Sequence, residues 1–157
     1  MLTVRRYAAH DLDEVTGLWL LLHREANVGP PDDETALRVS FLGYIPEQVA
    51  AGTLLVWVAE DQGRVISTAS ILRYPIPPRG GKTHEGQVIN VVTDPRWRKR
   101  GVGVALMREL VRFVESSTLR RVWLRTTPSG RGVYGAAGFA ADGTFMVLEP
   151  PAPARRR

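Results

Sequence analysis

No cysteine occurs among the 157 residues, which excludes a disulfide framework, a thiolate metal site and a cysteine nucleophile. Long apolar runs are missing too, and a stretch such as residues 18–22 is far too short to span a bilayer. No membrane partner is therefore expected. The first seven residues lack the basic-then-apolar layout of a signal peptide. An uncleaved chain without cysteine is expected to be cytoplasmic. Histidine is scarce, and neither His10 nor His23 has partners at metal-ligand spacing, so no metal is expected. Internal repeats and long linkers are also absent.

What is present is ordinary globular usage, 44% hydrophobic and 24% charged residues. The length suits one domain, residues 1–149, followed by a Pro/Arg-rich tail at 150–157. Net charge is +5 and the isoelectric point is near 10.2. Taken alone, that suggests a polyanion ligand. The distribution argues otherwise. Arg155, Arg156 and Arg157 end the chain, and Arg96, Arg98, Lys99 and Arg100 form one cluster. With both groups set aside, 14 basic side chains face 16 acidic ones. The excess is one focused patch plus a tail, and nucleic acid is not the expected partner.

Alternation predicts a short strand at 2–6. Asp11 and Glu14 read as a capping box before a helix carrying Leu12, Val15, Trp19 and Leu22 on one face. Gly29, Pro30 and Pro31 demand a loop. A second helix is expected over 33–51, interrupted or restarted at Pro46. Residues 54–59 and 64–72 read as a hairpin around the turn at 61–63, and a Pro/Gly loop is expected at 74–81. Residues 87–93 form a strong strand ended by Asp94 and Pro95. From Gly101 a helix places Val102, Leu106, Leu110, Phe113 and Val114 on one face. A strand at 122–126, a short helix at 129–137 and a closing strand at 144–148 complete the order β-α-α-β-β-β-α-β-α-β. That order implies an α/β fold, with a mixed sheet and helices on its faces.

The informative stretch is 88–107, VINVVTDPRWRKRGVGVALM, a strand running through a basic glycine turn into a helix. Arg98 to Gly103 has the form R-x-x-G-x-G. Glycine lets the backbone turn tightly and approach a ligand. Amides at a helix start lack partners and the dipole is positive there, so such a turn binds phosphate. No G-x-x-x-x-G-K-[ST] run exists, and Leu106 stands where the dinucleotide fingerprint needs its third glycine. What remains is a diphosphate cofactor held by R-x-x-G-x-G.

This stretch resembles the GCN5-related N-acetyltransferase (GNAT) superfamily, whose signature is [Q/R]-x-x-G-x-[G/A] after a strand. A second block, Tyr134 to Phe139 as Y-x-x-x-G-F, resembles the family's downstream segment. The element order fits as well, so the resemblance covers nearly the whole chain. It implies a largely antiparallel mixed sheet with two splayed parallel strands, here 88–93 and 122–126, and acetyl-CoA between them. By the same resemblance, Val91, Val92 and Thr93 would pair with the pantetheine arm through backbone groups. A local bulge would aim an amide at the thioester carbonyl. The pyrophosphate would rest on the turn of Arg98, Lys99, Arg100, Gly101, Val102, Gly103 and Val104. Transfer to the amine would be direct, within a ternary complex.

Tyr134 matches the family's tyrosine general acid, which protonates the departing thiolate. Some members carry a glutamate base fourteen residues before the first motif glycine. Here that position is Gln87, which cannot serve. Glu85, two residues earlier on the same face, is the candidate base, with His84 as a second. Water or a backbone carbonyl is the alternative. Asn90, on the opposite face, either orients substrate or satisfies backbone groups. The family builds its acceptor site from regions matching 23–37 and 74–85, where Glu25, Asp32, Asp33 and Glu34 either attract a cationic amine or cap a helix. Trp19, Trp57 and Trp123 are expected in the core, and Trp97 packed in the cofactor turn. The acceptor is expected to be a primary amine of a small molecule or peptide. The oligomeric state is open, a homodimer being compatible. An acyl-CoA sensor of the same fold, without turnover, is the competing function.

Overall fold

The computed structural model describes residues 1–26 and 33–149. The C-terminal tail at 150–157, Asp32 and the Gly29–Pro31 turn residues lie outside the described residues. Nine principal elements follow in order: β1 (Thr3–Arg6), α1 (Leu12–Glu25), α2 (Glu34–Ala50), β2 (Leu54–Asp61), β3 (Arg64–Arg79), β4 (Lys82–Thr93), α3 (Val102–Ser116), β5 (Leu119–Trp123) and α4 (Arg131–Ala136). The five strands lie in sequence order, antiparallel from β1 to β4, with β5 parallel to β4. No helix among the described residues is long and apolar enough to cross a membrane.

Period-two patterning divides the core between the two sheet faces. Along β2, Val56 and Val58 pack with Val15 and Trp19 of α1 and Ile45 of α2. Between them, Trp57 turns to the other face, against Leu106, Met107 and Leu110 of α3. Burying each such aliphatic side chain stabilises the fold by roughly 1.5–3 kcal/mol. The expected apolar face of α3 is the one that packs. Phe113 sits on its edge, with its ring centroid 5.2 Å from that of Trp57.

Several expectations require correction. Asp11 does not cap α1 through its side chain. Its buried carboxylate takes the Arg5 guanidinium at 2.7 and 2.8 Å and the Ala8 amide at 2.7 Å, while Glu14 reaches the Val65 amide. A buried carboxylate is better satisfied by a charged donor than by a helix amide alone. Pro46 does not interrupt α2, because it lies on the exposed side, where the carbonyl it leaves without a donor can meet water. The region 74–81 is not a loop. β3 runs on to Arg79, and Gly80 (φ 55°) and Gly81 (φ 77°) turn the chain directly into β4. Two successive positive φ angles are what a two-residue hairpin of matching twist requires.

The expected strand at 144–148 is also absent. Met146 and Leu148 are 97% and 94% exposed, Thr144 bonds only to nearby Asp142, and Phe145 alone reaches the sheet, stacking on Trp123. Strand propensity expresses fit to a half-buried pleated surface, and one contact does not supply it. β5 covers Leu119–Trp123, so 124–126 lie beyond its ladder.

Gly86 governs the contact of β4 with β5. A Cβ there would lie 2.5 Å from Ile71 Cγ2 and 3.5 Å from Val122 Cγ2, and Ile71 is fully buried. Gly86→Ala is therefore expected to destabilise by about 1–3 kcal/mol through overpacking. Gly43→Ala in α2, with open space at its Cβ, should be neutral or stabilise by about 0.5–1 kcal/mol. Urea unfolding of the two variants checks the contrast.

Candidate active site

The site begins where a ladder stops. β4 and β5 pair at His84↔Leu119, Gly86↔Val122 and Gln87↔Trp123, and then part. β4 continues to Thr93, held by β3 on its other side. Opposite Ala69, β4 fits two residues, Asn90 and Val91, between the rungs Ser70↔Ile89 and Thr68↔Val92. Asn90 takes a left-handed φ of 51°, a conformation asparagine tolerates better than most residues. Such a bulge re-aims backbone groups. The expected bulge thus falls at Asn90–Val91, inside the open fork.

At the mouth of the fork the chain turns through Asp94. Its amide donates to the Ile66 carbonyl at 2.8 Å, and its buried carboxylate accepts from the Arg96 amide at 3.0 Å. Arg96 also pairs with it at 2.7 Å and Arg64 at 3.6 Å. These donors, Arg96 foremost, hold its pKa down at about 2. Lys99 (φ 58°) and Gly101 (φ 78°) are left-handed on either side of Arg100. Alternating conformations of this kind make an anion-binding concavity of backbone N–H groups. Gly101 is the N-cap of α3 and no side chain caps the helix, so the first-turn amides are free to meet a ligand. A Cβ on Gly103 would contact Val133 Cγ1 at 3.6 Å and Thr93 Oγ1 at 3.9 Å, so α4 and the end of β4 converge on the turn. This donor set fits a diphosphate.

The cation assignment within the turn needs correction. Arg98 does not add free charge to it. Its Nε donates to the Thr93 carbonyl at 2.9 Å and its guanidinium binds both Glu25 oxygens, at 2.8 and 2.7 Å. Arg98 instead ties the turn to the end of α1. With Arg96 committed to Asp94, Lys99 and Arg100 are the cluster's cations left for a ligand. Arg100 lies 5.4 Å over the Trp97 ring, which packs in the turn as expected.

Tyr134 projects from α4 in an edge-to-face contact with Phe139, their centroids 6.2 Å apart. Gly130 leaves room for the ring, since a Cβ there would lie 2.9 Å from Tyr134 Cε2. Burial raises the phenol pKa, which keeps the hydroxyl protonated.

Glu85 is 4% exposed and heavily bonded. Its Oε1 accepts from Arg120 and lies 3.3 Å from Arg121, and its Oε2 accepts from the Tyr74 hydroxyl at 3.1 Å. Burial acts to raise its pKa, but the bonds from Arg120 and Tyr74 and the charge of Arg121 outweigh it, leaving the carboxyl below its usual range. With both oxygens committed to Arg120 and Tyr74 and its proton affinity lowered, the Glu85 carboxylate is better arranged to hold geometry than to take a proton. His84 contacts Thr83 Oγ1 at 2.9 Å and Arg73 at 3.3 Å. Tyr74 also accepts from Trp123 Nε1 at 2.7 Å. Trp123 is thus half-buried at the last rung rather than in the core, whereas Trp19 and Trp57 are core residues. Register with Gln87 was the missing signal for Trp123. Among the acceptor candidates, Glu25 binds Arg98, Asp33 caps α2 through the Thr35 amide, and Glu34 pairs with Arg24. A cleft of about 480 Å³ opens beside β5, with Arg121, Arg131, Phe139 and Phe145 on its walls. Among the described residues no cluster of three or more His, Asp or Glu side chains could hold a metal.

The acetyltransferase (GNAT) family profile matches residues 18–139. Glucosamine 6-phosphate N-acetyltransferase 1 of Oryza sativa subsp. japonica is 31% identical over 143 residues, 88% of this chain and 82% of that protein. The glucosamine 6-phosphate N-acetyltransferase of Trypanosoma brucei brucei is 31% identical over 94 residues, 60% of this chain and 63% of that protein, so the match spans less than two thirds of that relative. Among solved structures, a predicted acetyltransferase with acetyl-CoA from Clostridium acetobutylicum superposes with a TM-score of 0.79 at 22% identity, covering 95% of this chain and 96% of that one. A GCN5-related N-acetyltransferase from Ralstonia eutropha JMP134 gives 0.77 at 25%, covering 96% and 99%.

Asp94 sets a pH dependence of stability. Its folded pKa lies below the ordinary 3.8, so its contribution is full above that value and is lost as pH falls through about 2. Asp94→Asn should cost about 1–2 kcal/mol at neutral pH, and the gap to the parent should close between about pH 4 and 2. Urea titrations across that range give the difference directly.

Proposed function

The chain belongs to the acetyltransferase (GNAT) family, and from that premise we propose that it is an acetyl-CoA-dependent N-acetyltransferase acting on a primary amine by direct attack within a ternary complex. The observation that carries this reading is the open fork between β4 and β5, with a bulge inside it and an uncapped helix start at its mouth. Amides of the turn from Lys99 to Val104 bind the diphosphate, helped by the charges of Lys99 and Arg100. Val91, Val92 and Thr93 offer backbone groups to the pantetheine arm. Bound there, acetyl-CoA supplies an activated acyl carbonyl. The bulge amide at Val91 donates to that carbonyl oxygen and stabilises the charge that develops on it. Tyr134, protonated throughout the neutral range, donates to the leaving sulfur.

Glu85 holds geometry, and the amine's proton leaves to water. The favoured acceptor is a small amine carrying an anionic group, of the amino sugar phosphate class. The names of the relatives support this class, as do Arg121 and Arg131 on the cleft beside β5. The sensor reading is favoured by one feature, the lack of a carboxylate at Gln87.

Calorimetric titration with acetyl-CoA is the primary test. One saturable site is expected, weakened by about tenfold or more when Lys99 and Arg100 are both changed to Ala. No binding to the parent removes the cofactor reading. Thiol release with glucosamine 6-phosphate and a panel of other amines follows, and binding without release to any amine assigns the sensor reading.

Tyr134→Phe should lower kcat by about 10²-fold while changing acetyl-CoA affinity far less. With the amine's proton leaving to water, log kcat/KM for the amine should rise with pH at about unit slope up to the amine's own pKa. A plateau set by an enzyme group near pH 6–7 would restore a side-chain base.

A further inference from the structure

The indole of Trp123 is tethered across three strands. Its Nε1–H donates to Tyr74 Oη at 2.7 Å, although Trp123 lies on β5 and Tyr74 on β3, with β4 between them. Neighbouring strands are about 4.8 Å apart, so the two side chains together bridge roughly two strand spacings. The Tyr74 hydroxyl is fixed in turn by donating to Glu85 at 3.1 Å, and Glu85 is anchored by Arg120 and Arg121. The ring face of Trp123 stacks on Phe145, with centroids 5.3 Å apart and planes at 28°. A hydrogen bond from the ring nitrogen and a stacked neighbour together leave the indole little freedom.

Trp123 also occupies the last rung of the parallel ladder, opposite Gln87. The pairing therefore closes the fork at the residue that carries this indole, and the fork opens toward the turn before α3. A chain entering from the turn passes the bulge at Val91 and then heads toward Gln87 and Trp123. At about 3.3 Å per residue, the Val91 amide lies roughly 13 Å from that rung. An acetyl group uses a small part of this length and leaves the rest to the amine. A medium or long acyl chain runs toward the indole.

We propose that Trp123 is the end wall of the acyl slot and limits the donor to short acyl groups, with Tyr74 and Glu85 as positioning residues that hold the wall. This rests on the reading that acetyl-CoA occupies the fork. It assigns a function to a buried carboxylate and a phenol that the transfer step does not use. It also accounts for a hydrogen-bonded chain crossing β3, β4 and β5 at the one rung where the strands separate.

Competition calorimetry with acetyl-CoA and octanoyl-CoA tests the wall without requiring the acceptor. In the parent, acetyl-CoA should be preferred. In Trp123→Ala the octanoyl-to-acetyl affinity ratio should rise by about tenfold or more, the scale on which pocket size discriminates a few methylenes. Tyr74→Phe keeps the aromatic ring but removes the acceptor of the indole N–H, and should move the ratio the same way by a smaller factor. A loss of packing alone would lower the affinity for both ligands and leave their ratio unchanged. Should Trp123→Ala fail to fold, Trp123→Leu carries the same test with more of the volume kept. An unchanged ratio in these variants, with acetyl-CoA still bound by the parent, overturns the end wall and leaves the cofactor reading standing. Failure of the parent to bind acetyl-CoA at all overturns both.

Discussion

Two strands that begin as partners and then separate organise everything else in this molecule. The ladder runs until β5 ends at Trp123, and each backbone group beyond it loses a partner. Here β4 runs six residues beyond its last rung with β5. The start of the pairing is held by means that do not extend further. Gly86 lets Val122 and Ile71 pack closely, and Glu85 clamps Arg120 and Arg121. Past Gln87 neither device operates. β4 is kept in the sheet from its other edge by β3, and its free edge is left open to pair with an extended ligand.

The charged groups divide into those that build this surface and those left to act on a ligand. Asp94 and Glu25 take Arg96 and Arg98 and fix the turn to β4 and to α1. Glu85 takes Arg120. Several of the basic side chains around the site are thus paired within the fold, and the proposed chemistry rests on oriented amides and one protonated phenol. That division suits acyl transfer, which needs placement and charge stabilisation more than a strong nucleophile on the protein.

Some of this was legible in the amino-acid string. The R-x-x-G-x-G turn announced itself because glycine positions and helix starts are local features, and the apolar stripe of α3 followed from spacing alone. Residues joined only by register were not legible. Nothing local links Tyr74, Glu85 and Trp123, which meet because three strands align. The prolines near Gly80 and Gly81 suggested a loop, yet the paired glycines formed a hairpin whose turn geometry outweighed the missing donors. Residues 144–148 carried strand composition without a surface to complete it. The brace formed by Arg98 was not legible, because an arginine beside a phosphate turn and an arginine bracing that turn have the same sequence signature.

The bracing of the turn by Arg98 bears on the surroundings in which the protein can work. Attraction between exposed charges fades as mobile ions crowd around them, and two free cations are a modest reserve. Amides fixed in a rigid turn add directed donors to those charges, so only part of the attraction for an anion rests on the cations. Because Arg98 is bonded to Glu25 and to the Thr93 carbonyl, the turn is held in place before any ligand arrives. In the proposed reading, salt weakens the pull of Lys99 and Arg100, and the amides of a turn already in place supply the rest.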